Sequence, residues 1–375
     1  MPISGAALAN AALFHGRGQE DTCGAAHLGA ILIPMLTALF EARRLPMDRL
    51  IPALVAGYEV GGLLEKTYAG KTTPRGLRSS PLYGSLAAAA AAARAMALTP
   101  ERIAAAIGNA ASFSGGILQS FADGTDEWRY QVGVAGRNGL VAAELAAAGS
   151  VTAPHAIEGK SGFVRAFAQV DCDVDALASK LGREWSIHRV TFKPFPVCAF
   201  NQTPVTAALD FRKKLGGRRL NAVRVRMNPY ETGYAGMDSK GPFSTISGTL
   251  MSIPFCIALT ILRGEPTMAA MTTYDDGQVN ALVDRIDLVS DEGVAQLCCI
   301  IEAELEGGES LVVEQNMTTE DYNYDRATVS RMIRRIGSEE GVPAAAYDMI
   351  ESFVSGLSDA DIRKAVDAFT LCPRP

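Results

Sequence analysis

The chain has 375 residues, which is long enough for two domains at the usual scale of about 150 residues each. Its 48% hydrophobic and 20% charged residues can build a full core, and a net charge of −6 argues against a nucleic-acid partner. No apolar run reaches the roughly 18 residues of a membrane span, so no membrane association is expected. Seven cysteines without a CxxC pair, and an N-terminus without a basic leader, predict a cytoplasmic protein.

The first part of the chain predicts packed helices. Amphipathic spacing predicts helices over 31–42 and 46–64. Seven consecutive alanines, Ala87 to Ala93, predict a helix that neighbouring helices approach closely. A further helix is expected over 99–111, because Thr99 is followed by a proline and a glutamate that suit a first turn.

The stretch 124–149 changes character once along its length. Its first half carries Trp128, Arg129 and Tyr130, whereas small residues recur at helical spacing from Val134 onward. We predict a bundle helix from Val134 and, before it, a polar segment that delivers side chains to a pocket. The alternative is that Trp128 and Tyr130 only fill the end of the bundle.

The pattern shifts to mixed helix and strand near Trp185. Residues 222–227 alternate with a period of two, as in a half-buried strand. Residues 301–305 alternate as well, and a Gly-Gly pair leads into 310–314, which predicts a hairpin. Helices are expected over 203–215 and 249–262.

These patterns predict a mainly α protein with an α+β second domain. We assign 1–182 to a helical domain, 183–335 to the α+β domain, and 336–375 to helices that return to the helical domain. Ser358 and Asp361 form a capping-box-like start for the last helix.

Several common functional motifs are missing. No GxGxxG follows a strand, and no GxSxG is present, so dinucleotide-binding and serine-hydrolase sites have no support. Residues 70–72 resemble the end of a P-loop, but Glu65 stands where the leading glycine should be. His15 and His27 near Asp21 lack the spacing of a metal site, and no metal is predicted.

The loop 15–27 offers acid–base chemistry between two helical stretches. Asp21, Thr22 and His27 supply a carboxylate, a hydroxyl and an imidazole that titrates near neutrality. We predict them as catalytic residues; the alternative is that Asp21 or Thr22 caps the following helix.

Two later segments offer groups that bind carboxylates. Arg78 presents a planar fork that matches a carboxylate, whereas Arg75 is expected at the surface. Lys193, Cys198 and Gln202 project from a proline-stiffened segment that crosses between the domains, where a ligand would lie.

In this order the segments resemble the MmgE/PrpD family, which includes 2-methylcitrate dehydratase, cis-aconitate decarboxylase and iminodisuccinate epimerase. The matching phrases are Asn10-Ala11…His15…Asp21-Thr22…His27, then Arg75-Gly76…Gly84, then Gly133…Ala135…Arg137…Gly139-Leu140…Ala142-Ala143, then Lys193…Pro196…Gln202-Thr203. The resemblance implies a helical bundle with an α+β lid, a homodimer, no metal or organic cofactor, and proton abstraction next to a carboxylate.

The chain departs from the family pattern at several positions. The family's Asp-Phe-Asp-Asp-Thr begins here with Gly18, and His27 arrives one residue early. Arg78 replaces the histidine of Gly-Phe-His, and the histidine after the lid's Phe-Pro is absent, with Cys198 close by. The family's Lys-Arg-Leu-His is Trp-Arg-Tyr-Gln at 128–131. Family members begin with helices upstream of the matched region, so the bundle is expected to be incomplete unless a partner, such as a separate chain, supplies them.

Two hypotheses follow. In the first, Arg78, Arg129 and Lys193 bind a small di- or tricarboxylate, and His27 or Cys198 removes its α-proton. Tyr130 or Thr22 would then stabilise or protonate the enolate-like intermediate, with Asp21 and Gln202 completing the site of a lyase or epimerase. In the second, the site has decayed, and the chain is a non-catalytic binding or accessory subunit.

Overall fold

The computed structural model describes residues 1–373, and its first part consists of packed helices. These helices are α1 (Ile3–Phe14), α2 (Gly29–Arg43), α3 (Leu50–Thr72), α4 (Ser79–Ala95), α5 (Pro100–Phe113), α6 (Gln119–Asp123), α7 (Glu127–Ala147), α8 (Phe163–Ala168) and α9 (Val174–Ala178). Helix α4 lies between α3 and α7, and its alanines 87–93 are at most 1% exposed. A Cβ at Gly139 of α7 would lie 2.4 Å from that of Ala88, so the absence of a side chain permits this close contact.

The second part combines helices with a four-stranded sheet. Its helices are α10 (Gln202–Leu215), α11 (Pro229–Thr232), α12 (Ile246–Met251), α13 (Ile253–Arg263), α14 (Met268–Met271) and α15 (Gly277–Asp284). The strands of the whole chain are β1 (Asp21–Cys23), β2 (Val190–Phe192), β3 (Leu220–Met227), β4 (Ile286–Ser290), β5 (Cys298–Leu305) and β6 (Ser310–Asn316). The sheet has the order β4-β3-β5-β6, in which β3 is parallel to β4 and antiparallel to β5. Helices α10 and α13 pack together against this sheet.

The last helices are α16 (Arg326–Ser338), α17 (Ala344–Ser355) and α18 (Ile362–Thr370). Buried side chains form two hydrophobic cores, one within the helical part and one within the α+β part. Phe353, Ile362 and Ala365 belong to the core of the helical part. Phe121 and Trp128 belong to the other core although they lie on α6 and α7, so these helices reach the junction between the two parts.

The sequence predicted this architecture correctly, as mainly α with an α+β second part. The strand over 222–227, the 301–314 hairpin and the Thr99 cap are confirmed. The sheet alternates as expected, because Ile301 and Ala303 are buried while Glu304 is exposed.

Several helix boundaries differ from the prediction. Helix α3 runs over Leu50–Thr72 instead of 46–64. Helix α7 begins at Glu127 instead of Val134, so the polar half of the stretch is already helical. The helix expected over 249–262 is divided at Ser252, whose hydroxyl accepts from the amide of Phe255 and starts α13. Asp361 caps α18 alone, because its carboxylate accepts from the amide of Arg363, and Ser358 lies in a separate short turn.

A short antiparallel ribbon joins the two parts. Strand β1 pairs with β2 so that Asp21 lies opposite Phe192 and Thr22 lies opposite Thr191. The ribbon brings the loop between α1 and α2 against the segment that leads into α10.

Candidate active site

The loop between α1 and α2 has a backbone shape that depends on glycine. Gly24 has a φ of +62°, where a side chain is strained. A Cβ at this position would lie 2.2 Å from a carboxylate oxygen of Glu65. That carboxylate accepts a 2.8 Å hydrogen bond from the amide of Ala25, so Glu65 fixes the position of the loop relative to α3.

Glu20 is the centre of a buried charged cluster. Its Oε1 lies 3.1 Å from Nζ of Lys193, 3.0 Å from Nδ1 of His15 and 2.9 Å from Nδ1 of His27. Glu20 directly precedes β1, and Lys193 directly follows β2. Because Asp21 pairs with Phe192 in the ribbon, the same register brings Glu20 opposite Lys193. One carboxylate oxygen therefore lies against a cation and two imidazoles.

The partners of the two imidazoles define their tautomers. Nη2 of Arg78 lies 2.7 Å from Nε2 of His15, and a guanidinium can only donate, so this Nε2 accepts and Nδ1 carries the proton. Nδ1 of His27 lies 3.2 Å from the carbonyl oxygen of Asp21 as well as beside Glu20. Both neighbours are acceptors, so this Nδ1 is protonated too. Nε2 of His27 makes no hydrogen bond to another residue of the described range 1–373.

The buried environment keeps the histidines neutral and the glutamate charged. Burial lowers the pKa of His15 to about 3, and burial together with the Lys193 charge lowers the pKa of His27. Burial by itself raises the pKa of Glu20, but Lys193 and the two histidines outweigh this effect and hold the pKa well below its ordinary value. At neutral pH, His27 therefore has an unprotonated Nε2 with an ionised carboxylate behind its ring.

Arg78 is the second cation of the cluster, and it is 1% exposed. Its Nη1 donates to the carbonyl of Trp128 at 2.5 Å and to Oε1 of Gln131 at 3.2 Å, and its Cζ lies 4.9 Å from the centre of the Phe121 ring. Burial lowers the pKa of Arg78 to about 10, so the side chain remains charged at neutral pH.

The two histidines, Arg78 and Lys193 line a cavity at the junction of the two parts, and Glu20 contacts the histidines and Lys193 without belonging to the cavity wall. The cavity measures about 500 Å³ including its open mouth, and we call it the proximal cavity. Its walls include His15, Gly18, Thr22, His27, Arg78, Phe121, Trp128, Lys193, Cys198, Phe200 and Tyr234. Two cations and one ionised carboxylate leave a net positive charge, which favours an anionic ligand.

Two smaller polar groups share this wall. The hydroxyl of Thr22 lies 2.7 Å from that of Thr191 across the ribbon. Burial raises the pKa of Cys198, so its sulfur remains a thiol at neutral pH.

The structure places five of the predicted site residues together, and they are Thr22, His27, Arg78, Lys193 and Cys198. Two of the remaining predictions concerned α7, where an earlier helix start changes the directions of the side chains. Trp128 faces inward, and Tyr130, about 200° further around the helix, is 56% exposed and away from the cavity wall. Arg129 lies 3.8 Å from Asp126 and stacks on Trp128, also outside the cavity.

The other two residues support the site without lining it. Oδ2 of Asp21 accepts a 2.5 Å hydrogen bond from the hydroxyl of Tyr58, and the carboxylate lies so close to Gly29 that a Cβ there would be 2.0 Å from Oδ1. The Asp21 carboxylate thus faces away from the cavity, and burial raises its pKa to about 6. The Gln202 side chain is buried and bonds both the amide and the carbonyl of Phe195, so it shapes the backbone before Cys198.

Sequence reasoning did not assign Glu20 or His15 to the site. Glu20 stands at the third position of the family's Asp-Phe-Asp-Asp-Thr phrase, where an acid is retained. His15 was part of the matched pattern, but nothing in the sequence showed that it would lie against Arg78. The sequence shows that both residues are present, but it does not show the contacts with Lys193 and Arg78 that give them a role in the site.

No metal centre or membrane span emerges from the described residues. Across 1–373, no group of three or more His, Cys, Asp or Glu side chains is arranged to hold a metal ion. Within the same range, no helix has the length and apolar character needed to cross a bilayer.

Comparison with known proteins identifies the family. Residues 1–173 match the MmgE/PrpD N-terminal domain, and residues 195–331 match the MmgE/PrpD C-terminal domain. The chain therefore belongs to the MmgE/PrpD family, as the sequence motifs predicted.

The relatives found are cis-aconitate decarboxylases and a similar protein. The cis-aconitate decarboxylase-like protein oryM of Aspergillus oryzae is 30% identical over 205 residues, which are 50% of this chain and 42% of that protein. Cis-aconitate decarboxylase of Aspergillus terreus is 24% identical over 293 residues, 72% of this chain and 59% of that protein. The Homo sapiens enzyme is 29% identical over 227 residues, 58% of this chain and 46% of that protein. The chain thus spans about half the length of the relatives it matches.

Proposed function

We propose that the chain catalyses a lyase-type reaction on a small di- or tricarboxylate, with His27 as the proton-transfer group. The observation that carries this proposal is the arrangement around Glu20, which orients His27 through Nδ1 and leaves Nε2 unbonded in a cavity with Arg78 and Lys193. The similarity to cis-aconitate decarboxylases supports the same class of reaction.

The two cations would bind and activate the substrate. A proton beside a carboxylate is only weakly acidic, so its removal needs positive charge near the oxygens that take up the electrons. Arg78 and Lys193 provide this charge in a largely enclosed site, where it is worth several kcal/mol. They bind and orient the carboxylates so that the acidic carbon faces His27.

The proton transfer itself follows from the tautomer of His27. Nε2 takes the α-proton, and the C–H electron pair moves into the adjacent carboxylate to form an enolate-like intermediate. The imidazolium that forms is stabilised by the Glu20 carboxylate at Nδ1. In a lyase that eliminates, the electron pair then returns to form a double bond, and the group on the neighbouring carbon leaves with the electrons of its own bond. In a decarboxylase, CO2 departs and leaves its electron pair on carbon, which is then protonated. In an epimerase the carbon takes a proton back on its other face, and the Thr22 hydroxyl or the Cys198 thiol stands in the cavity wall to supply it.

The second hypothesis, a non-catalytic binding subunit, has one specific observation in its favour. Gly18 lies in the wall of the proximal cavity where the family pattern has an aspartate, so the cavity lacks that acid. This hypothesis predicts carboxylate binding without proton exchange.

Proton NMR in deuterated buffer, with a panel of di- and tricarboxylates, tests the proposal directly. We expect the α-proton signal of at least one compound to disappear, and His27→Asn to slow this exchange by about 10²–10⁴-fold, as removal of a general base does. The matched control is His155→Asn, because His155 also pairs with a glutamate, Glu158, but its side chain is 74% exposed. Exchange in the control should equal that of the wild type.

The product spectrum then separates the reaction types. New alkene or decarboxylated product signals indicate a lyase, and exchange without a new compound indicates an epimerase. Binding of the panel without any exchange, in folded wild-type protein, would instead support the binding subunit.

A further inference from the structure

A second cavity adjoins the proximal cavity and is larger. It measures about 1140 Å³ including its mouth, and we call it the distal cavity. The two cavities share the wall residues Thr22, Gly24, Ala25, Lys193, Ala199 and Phe200. A ligand bound at Lys193 can therefore extend from one cavity into the other.

The acidic residues in the distal wall are Glu65 and Glu231, and they differ in their bonding. Both oxygens of Glu65 are used, because Oε1 accepts from the amide of Ala25 at 2.8 Å and Oε2 accepts from Arg189 at 3.1 Å. Glu231 uses only Oε1, which accepts from the amide of Leu297 at 3.0 Å. Its Oε2 has no hydrogen-bond partner among the described residues, although the side chain is only 1% exposed.

The cations of the distal wall are already paired. Arg189 donates to Glu65 and to the carbonyl of Gly62, and Lys193 donates to Glu20. In the described range 1–373, neither of these two cations donates a hydrogen bond to Glu231. A buried carboxylate oxygen without a donor is unfavourable, and a ligand that supplies a donor removes this penalty.

We propose that the distal cavity binds a protonated amine of the substrate through Oε2 of Glu231, while the substrate's carboxylate end lies at Arg78 and Lys193. This inference rests on the proposed function, because it takes the carboxylate position from it. The ligand class is an amino-substituted carboxylate in which the amine lies several bonds from the reacting end.

The charge state of Glu231 supports an amine over a hydroxyl group. Burial raises the pKa of Glu231 to about 7, so this carboxyl group is partly protonated at neutral pH. An ammonium group stabilises the ionised form, whereas a hydroxyl does so only weakly. Binding of an amine should therefore release protons at pH 7.

A series of ω-amino carboxylates, from 3-aminopropanoate to 6-aminohexanoate, tests this site against alkanoates of equal length. Titration calorimetry on the full chain should reveal a length at which the amino compound binds at least about 10-fold more tightly, the gain typical of one charge-assisted hydrogen bond. Repeating the titration in buffers of different ionisation enthalpy should show proton release for the wild type.

Glu231→Gln should remove both the amine preference and the proton release, while the affinity for plain alkanoates stays within about two-fold, since the carboxylate end is unchanged. Glu304→Gln, which alters an exposed glutamate of β5, is the matched control and should behave as the wild type. If Glu231→Gln fails to fold, the proton-release measurement on the wild type still tests the site.

Equal binding of both series at every length, binding of neither series, or an amine preference that persists in Glu231→Gln would each overturn the inference. Its failure is distinguishable from failure of the proposed function. Proton exchange on dicarboxylates without an amine preference refutes only the amine site, whereas an amine preference without any exchange refutes only the catalytic role.

Discussion

Glu20 and Asp21 are adjacent buried carboxylates at the start of β1, but their pKa values shift in opposite directions. Glu20 contacts Lys193 and two imidazoles of the proximal-cavity wall, and its pKa is held well below the ordinary value. Asp21, the next residue, faces Tyr58 and the start of α2, and burial raises its pKa to about 6. The comparison teaches that enclosure alone does not define a catalytic carboxylate; the charges of the neighbours determine whether it stays ionised and orients other groups.

The largest expected effect comes from removing Lys193, the cation that pairs with the buried Glu20 carboxylate. Lys193→Met leaves the Glu20 carboxylate buried without its positive partner, and breaking a buried ion pair in this way costs about 3–5 kcal/mol. Urea unfolding should show this loss, and α-proton exchange should fall as well. Lys66→Met is the matched control, because Lys66 pairs with Glu184 in an exposed position and should leave both measurements unchanged. A Lys193→Met protein as stable as the control would contradict the described role of the pair.

The next effect is that the contributions of Asp21 and Glu20 to the free energy of unfolding change in opposite directions with pH. The raised pKa of Asp21 means that the folded state binds its proton more tightly, so this contribution to stability is present at low pH and is lost as pH rises from about 4 to 6. The lowered pKa of Glu20 has the opposite consequence, because its contribution is present above the ordinary pKa and is lost as pH falls below it.

Unfolding free energies of Asp21→Asn and Glu20→Gln, measured from pH 3 to 7, test these signs. Relative to the wild type, Asp21→Asn should gain on the order of 2 kcal/mol as pH rises through its window. The penalty of Glu20→Gln should instead shrink as pH falls below the ordinary range of a glutamate. If the unfolding free energies of the two variants changed with pH in the same direction, the opposite roles of Glu20 and Asp21 would be contradicted.

A smaller effect concerns the backbone of the loop between α1 and α2, which contains Glu20, Asp21 and Gly24. Gly24→Ala forces a side chain into a left-handed conformation and against the Glu65 carboxylate, at a cost of roughly 2 kcal/mol. Gly70→Ala on α3 is the matched control, because a Cβ there meets no atom within 4 Å and helical alanine is preferred to glycine. Thermal unfolding should show a loss for the first variant and a small gain for the second. A neutral Gly24→Ala would indicate that the loop rearranges easily.

Much of the fold was predictable because its signals are local. The alanine run of α4, the Thr99 cap and the alternation in β5 each depend on a few neighbouring residues, and the structure confirms them. The start of α7 was placed too late, because glycine and polar residues in its first turns mask a helical pattern whose stability comes from packing against α4.

The candidate site was predictable in residue types and only partly in position. Thr22, His27, Arg78, Lys193 and Cys198 were named from polar segments and from the family pattern, and they line one cavity. Glu20 was not assigned, although it stands beside the predicted Asp21.

What the sequence alone determined is the family, the helical and mixed parts, and the set of polar segments from which the site is built. Only the tertiary structure decided which of Glu20 and Asp21 contacts Lys193 and His27. The ribbon strands β1 and β2 have three residues each, too short for an alternating pattern to be recognised, and their pairing joins segments about 170 residues apart. Because adjacent residues in an extended chain point to opposite sides, this pairing directs Glu20 to Lys193 and His27, and Asp21 to Tyr58.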